Sequence, residues 1–206
     1  MSHEKHRWIL SGGLASGKSM VRQLLEAAGI STIDADSVGH SVLLPEGEAY
    51  SAVAERWPTV VRGGEIHRGS LASIVFGDPD ELAALEAITH PHIFDAIGAR
   101  VEQVESVVVV EMPVLSNGLG DDWHRIVVDC RDEVRLERAI NRGMRRSDAS
   151  ARLTTQPSRM EWLAQADLVI PNHGSLDELD RTVELLLQSG KFTPRSVRSD
   201  PDRPVP

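Results

Sequence analysis

The sequence predicts a doubly wound α/β fold, a parallel sheet flanked by helices, and three features carry that prediction. Short apolar runs alternate along the chain with stretches of helical periodicity. One run, Val107 to Val110, is four valines in a row, the near-continuous apolar pattern of a strand buried on both faces. A glycine-rich segment, Gly12 to Ser19 (GGLASGKS), joins the first apolar run to the first amphipathic stretch. A length of 206 residues suits one compact domain with room for an inserted subdomain.

Taken in order, Arg7 to Ser11 form a short strand that feeds Gly12 and Gly13. After Lys18, Val21, Leu24, Leu25 and Ala28 recur on one helical face, and Gly29 ends that helix in the left-handed position. Ile30 to Ile33 read as a second strand, followed by Asp34-Ala35-Asp36. Residues 45–104 read as mostly helical, broken at Gly63-Gly64, Asp78-Pro79 and Pro91. Beyond the valine strand, Ile126 to Val128 form another strand, 132–143 a helix with Val134, Ala139 and Ile140 apolar, and Leu168 to Ile170 a short last strand. Ser175 and Glu178 have capping-box spacing before Leu179, Val183, Leu186 and Leu187, and Gly190 closes that helix. The segment 193–206 carries four prolines and several charges, the composition of a disordered tail.

Composition narrows the function. The net charge of -9 argues against a nucleic-acid partner, whereas a basic pocket for a small anion is compatible with it. Cys130 is the only cysteine, so the chain has no internal disulfide, and it reads as core filler. No apolar run approaches membrane-span length and residues 1–7 lack a signal-peptide core, so the expectation is a soluble cytoplasmic protein with no membrane partner.

Gly12, Gly17, Lys18 and Ser19 satisfy the pattern G-x-x-x-x-G-K-[ST]. Glycines let the backbone wrap a phosphate with its N–H groups inward, and the helix that follows adds its positive end. Lys18 then suits the β- and γ-phosphates, and the Ser19 hydroxyl suits Mg²⁺. Asp34 and Asp36 follow the second strand, where alternation would turn them to opposite sides. Asp36 reads either as a base for an acceptor hydroxyl or as the cap of a helix beginning at Ser37, and the loop favours the base. Glu111 ends the valine strand and is a candidate metal-associated carboxylate or an ordinary strand-end polar residue. Between Arg125 and Arg159 stand nine arginines, five acidic residues and no lysine, a local balance of +4. Forked guanidinium donors suit transferred phosphates. Arg138 and Arg142 share a face at i, i+4, and most of the other arginines are expected on solvated helix surface. In His90-Pro91-His92, a metal site lacks supporting ligands, and local packing of His90 is the better reading.

Together these motifs resemble the dephospho-CoA kinase family. The resemblance runs through GG-x-x-SGKS, then GI-x-x-IDAD, Gly64-Glu65-Ile66-His67-Arg68, and Leu85 to Ile93 with its His-Pro pair. It continues through Met112 to Leu115, Arg138 to Met144, Gln156, and Ala166 to Ser175 (ADLVIPNHGS), spanning about residues 7–190. It implies a P-loop core over 1–192 with a helical substrate-binding insertion near 37–104 and a lid near 143–160. It implies transfer of the ATP γ-phosphate to the ribose 3′-hydroxyl of dephospho-CoA, with Mg²⁺. By motif, Gly13, Leu14, Ala15, Ser16, Gly17, Lys18, Ser19 and Met20 line ATP, with Arg138 and Asn172 also on the nucleotide. Asp36, Lys18 and Arg142 carry catalysis, and Arg68 and His90 face the acceptor. The chain departs from the family pattern at Ser11, Ala15, Met20, His40 and Asn117, where Thr, Gly, Thr, Arg and an acid are usual. A kinase with another hydroxyl acceptor, or a weakly active nucleotide-binding paralogue with a regulatory role, is the alternative expectation.

Overall fold

The structure is a computed structural model that describes residues 6–113, 118–120 and 122–190. The expected tail over 193–206 and the Asn117 departure lie outside those residues. The chain divides into two compact units, 1–33 with 104–206, and Asp34–Gln103.

The first unit holds a five-stranded parallel sheet in the order β2-β5-β1-β6-β7. Its strands are β1 (His6–Ser11), β2 (Ser31–Asp34), β5 (Val107–Glu111), β6 (His124–Asp129) and β7 (Leu168–Pro171). All five positions of β5 are buried, as a strand covered on both faces requires. Strand β1 is central, pairing in parallel with β5 and β6. Helix α1 (Lys18–Ala27) lays Val21 and Leu25 on the sheet, and α9 (Leu176–Gln188) adds Leu179 and Val183. They pack on Trp8, Leu10, Val107, Val109, Ile126, Val128 and Ile170. Each such aliphatic residue stabilises the unit by about 1.5–3 kcal/mol through loss of water contact. The expected face of α1 is one residue too long, because the helix stops at Ala27 and Ala28 is exposed. Gly29, at φ 83°, reverses the chain there. The Ser175–Glu178 capping box of α9 is formed in both directions. Helices α6 (Asp132–Asn141), α7 (Arg146–Thr155) and α8 (Arg159–Ala164) complete the unit.

The second unit contains α2 (Ala35–Ser41), α3 (Tyr50–Arg56), a 3₁₀ turn at Pro58–Val60, a hairpin of β3 (Val61–Arg62) and β4 (Glu65–Ile66), α4 (Arg68–Val75) and α5 (Pro79–Glu102). Two expectations are corrected here. Gly63-Gly64 does not merely interrupt helices: both residues have positive φ, 61° and 86°, and form the two-residue turn between antiparallel β3 and β4. Pro91 does not end a helix, because α5 runs through it. An interior proline forfeits one helical hydrogen bond and crowds the preceding turn, a cost of about 3 kcal/mol. Packing offsets that cost: Leu82, Leu85 and Ile88 before Pro91 and Ile93 after it join one apolar cluster with Val53, Trp57, Val60 and Leu71. At the expected break of Asp78-Pro79, Asp78 caps α5, accepting from the Asp80 N–H at 2.9 Å. Among the described residues, no helix is long and apolar enough to cross a membrane.

Candidate active site

The sheet places the site. From β1 the chain builds outward to β2 and β5 on one side and to β6 and β7 on the other, so a crevice opens at the C-terminal end of β1. Register brings Leu10 beside Glu111 and Ser11 beside Val127. The Gly12 to Ser19 loop leaves β1 at this point. The Ser16 N–H donates to Gly13 O at 3.1 Å, and Gly17, at φ 105°, turns the chain into α1. Gly17 offers no side-chain cap, and the first turn of α1 holds no acidic residue. Those N-terminal N–H groups and the helix dipole form a seat for an anion.

Ala15, where the family pattern has glycine, is the one described non-glycine residue at positive φ, 57°. The left-handed conformation costs an L-residue about 1–2 kcal/mol, which explains why glycine suits that position. Its methyl group packs with Ala139 and Ala149. Lys18 folds over the loop, its Nζ donating to Gly12 O at 2.9 Å and Gly13 O at 3.4 Å. The Ser19 hydroxyl donates to Glu111 Oε1 at 2.9 Å, while Arg22 Nε donates to Glu111 Oε2 at 2.9 Å. Glu111 is 8% exposed, so the carboxylate is held by named partners rather than by bulk water.

Arg138 and Asn172 form a strut beneath the loop. Arg138 donates to Asn172 O at 3.1 Å, to Asn172 Oδ1 at 3.2 Å and to Gly174 O at 3.0 Å. Asn172 Nδ2 donates to Ser16 O at 2.7 Å, and its backbone N–H donates to Asp129 O at 2.8 Å. A Cβ at Gly17 would strike the Asn172 amide, a second reason for glycine there. Arg142 is the C-cap of α6 and is exposed. With Leu14, Ala15, Ala139, Gly143 and Met144 it lines a 310 Å³ pocket over the loop.

Arg131, Arg145, Arg146 and Arg152 are exposed, as expected of most of these arginines, but two are not: Arg135 is 3% exposed and Arg125 7%. Arg135 crosses under the loop. Its Nε donates to Leu14 O at 2.9 Å, its Nη1 to Asp132 Oδ1 at 2.8 Å and its Nη2 to Gln156 Oε1 at 2.7 Å. Sequence reasoning passed over Arg135 as a site residue, and the only local signal was the second glycine of the loop. A Cβ on Gly13 would overlap the Arg135 guanidinium. Asp129, at the end of β6, accepts two 2.7 Å hydrogen bonds from Arg159, and His173 Nε2 lies 3.4 Å from its Oδ2. The hydrogen bonds from Arg159 hold the Asp129 carboxyl below the usual carboxylate range, outweighing the upward push of burial.

The remaining predicted residues belong to the second unit. Asp34, not Asp36, caps the helix: its Oδ1 accepts from the N–H groups of Asp36 at 3.0 Å and Ser37 at 3.3 Å. The helix begins at Ala35, so strand alternation does not orient Asp36, which lies exposed in the first turn of α2. Arg68, the first residue of α4, donates from Nη1 to His40 Nδ1 at 3.2 Å. His90 is exposed and packs against Phe94 with ring centroids 5.6 Å apart, the local packing expected for it.

The family model described as CoaE, dephospho-CoA kinase, matches residues 8–178. A dephospho-CoA kinase of Streptomyces avermitilis is 40% identical over 185 residues, covering 84% of this chain and 88% of the relative. A solved Thermus thermophilus protein, TT1252, superposes with TM-score 0.78 at 30% identity, covering 90% of this chain and 98% of the other. The fold is also that of dephospho-CoA kinase from Campylobacter jejuni, with TM-score 0.70 at 24% identity and coverage of 90% and 97%. The chain belongs to the dephospho-CoA kinase family.

Proposed function

We propose that this enzyme transfers the γ-phosphate of ATP to the ribose 3′-hydroxyl of dephospho-CoA, giving coenzyme A and ADP. The observation that carries the reading is the loop of a family member with its chemistry in place. It has an uncapped α1 N-terminus, Lys18 over the loop carbonyls, and a Ser19 hydroxyl paired with Glu111. Gly13 to Met20 supply the nucleotide seat, and Arg138 and Asn172 support it from below.

Mg²⁺ fits the donor set. Ser19 Oγ and Glu111 Oε1 are hard oxygen ligands 2.9 Å apart, and Mg²⁺ commonly takes one or two protein oxygens and completes its shell with water and phosphate. When bound, the ion neutralises charge on the β- and γ-phosphate oxygens. Lys18 adds a point charge, and Arg142, at the edge of the 310 Å³ pocket, adds a forked donor for the phosphoryl oxygens. Asp36 accepts the proton of the attacking 3′-hydroxyl as the oxygen–phosphorus bond forms and the bond to ADP breaks. Arg68, steadied by His40, and His90 bind the anionic acceptor. Residues 143–160 act as a lid over the nucleotide. Cys130 takes no part, since it is buried and burial pushes its thiol up. We place the enzyme in the cytoplasm, the compartment that suits a chain with one buried thiol.

A coupled ADP-release assay with ATP, Mg²⁺ and dephospho-CoA tests the reading, and absence of turnover that depends on dephospho-CoA would sink it. Asp36→Asn should lower kcat by about 10²–10⁴-fold while ATP still binds. Near-normal turnover in that variant would remove Asp36 from the role of base.

A further inference from the structure

We infer that Gln156 and Arg135 are positioning residues for ATP: together they clamp the Leu14 peptide and tie the end of α7 to the phosphate loop. The inference rests on the reading of Gly12 to Ser19 as the ATP site. Gln156 Oε1 accepts two hydrogen bonds, from the Leu14 N–H at 2.7 Å and from Arg135 Nη2 at 2.7 Å. Arg135 Nε closes the ring by donating to Leu14 O at 2.9 Å. Both polar groups of Leu14 are therefore held by side chains 142 and 121 positions further along the chain.

The clamp explains how the loop keeps a conformation its own sequence disfavours. Ala15 follows Leu14 and stands at positive φ with a side chain that resists it. Strained residues persist where neighbouring contacts over-determine them, and the fixed Leu14 peptide supplies that constraint. Gly13 is the steric counterpart, since only a residue without Cβ lets the Arg135 guanidinium lie against the loop. The bonds are well protected, with Arg135 3% exposed and Gln156 partly buried.

Gln156 is also the C-cap of α7. The arginine-bearing segment that begins after Gly143, at φ 90°, is thus anchored at its far end to the backbone that receives the nucleotide. A ligand that fixes the loop fixes the end of α7, and by reciprocity the position of α7 alters affinity at the loop.

The test measures equilibrium binding of a non-hydrolysable ATP analogue to the full chain without acceptor, alongside steady-state kinetics with both substrates. Gln156→Leu removes the shared acceptor and should weaken the analogue and raise KM for ATP by about 10-fold, leaving KM for dephospho-CoA within about 2-fold. Gln156→Glu keeps an acceptor oxygen and should recover analogue binding to within about 3-fold of the parent. Arg135→Lys loses the planar fork and should show the same ATP-specific weakening. Analogue binding unchanged in Gln156→Leu, or equally weak in Gln156→Glu, overturns the inference. Should Gln156→Leu fail to fold, parent-like analogue binding by Arg135→Lys overturns it. A parent that binds the analogue yet transfers nothing to dephospho-CoA would fail the proposed function while leaving this comparison intact.

Discussion

Ser19 and Glu111 stand 92 residues apart in sequence, and their side chains meet in a 2.9 Å hydrogen bond from hydroxyl to carboxylate. The other Glu111 oxygen is taken by Arg22, so the carboxylate is fixed in direction as well as place. Replacing Glu111 by Ala should lower kcat by about 10–100-fold and raise the Mg²⁺ concentration needed for half-maximal rate. Titrating Mg²⁺ at saturating substrates checks this. An unaltered Mg²⁺ dependence would make Glu111 a structural partner of Arg22 and nothing more.

Gly13 has an ordinary φ, so its need for glycine is steric rather than conformational. Gly13→Ala should displace Arg135 and weaken ATP binding by about 10-fold, in line with the cost of overpacking. The penalty should shrink when Arg135→Ala is already present, because the clash partner is gone. Binding of an ATP analogue to the two single variants and the double variant decides the point. Strict additivity would count against the steric explanation.

Asp129 contributes a pH dependence to stability. Its carboxyl is depressed in the folded state by the hydrogen bonds from Arg159, so it contributes stability that is present above the ordinary carboxylate value, about 3.9. That contribution is lost as pH falls through the depressed folded value. Asp129→Asn should unfold at lower urea than the parent at pH 7, and the gap should narrow toward pH 2–3. A gap of constant size across that range would show that charge on Asp129 is not its source.

Pro91 offers a stability test away from the loop. Pro91→Ala restores an N–H to the middle of α5 and removes ring crowding, and should stabilise the chain by about 1–3 kcal/mol. A thermal melt that stays level or falls would mean that the surrounding apolar cluster is shaped to the proline.

These residues also mark where reading the sequence succeeded and where it stopped. The valine strand, the capping box at Ser175 and the loop were legible because each is set by local chemistry: burial pattern, hydrogen-bonding side chains three apart, and glycine spacing. The break expected at Pro91 failed because packing by Leu85, Ile88 and Ile93 outweighs a local rule. The alternative reading of Asp36 as a helix cap fails because Asp34, two residues earlier, accepts both N–H groups. Arg135 was hidden among nine arginines, because only the fold reveals which of them runs beneath residues 13 and 14.

Three braces of the phosphate loop come from far later in the sequence: Arg135, Gln156 and Asn172 hold a segment that ends at Ser19. During synthesis the loop emerges well before the groups that set its shape, which follow their loop partners by 121 to 156 residues. The loop backbone is therefore expected to take its binding form only once Arg135, Gln156 and Asn172 are present, too late for nucleotide to template the early nascent chain. Fragments stopping short of Asn172 should therefore carry the motif without the affinity for nucleotide.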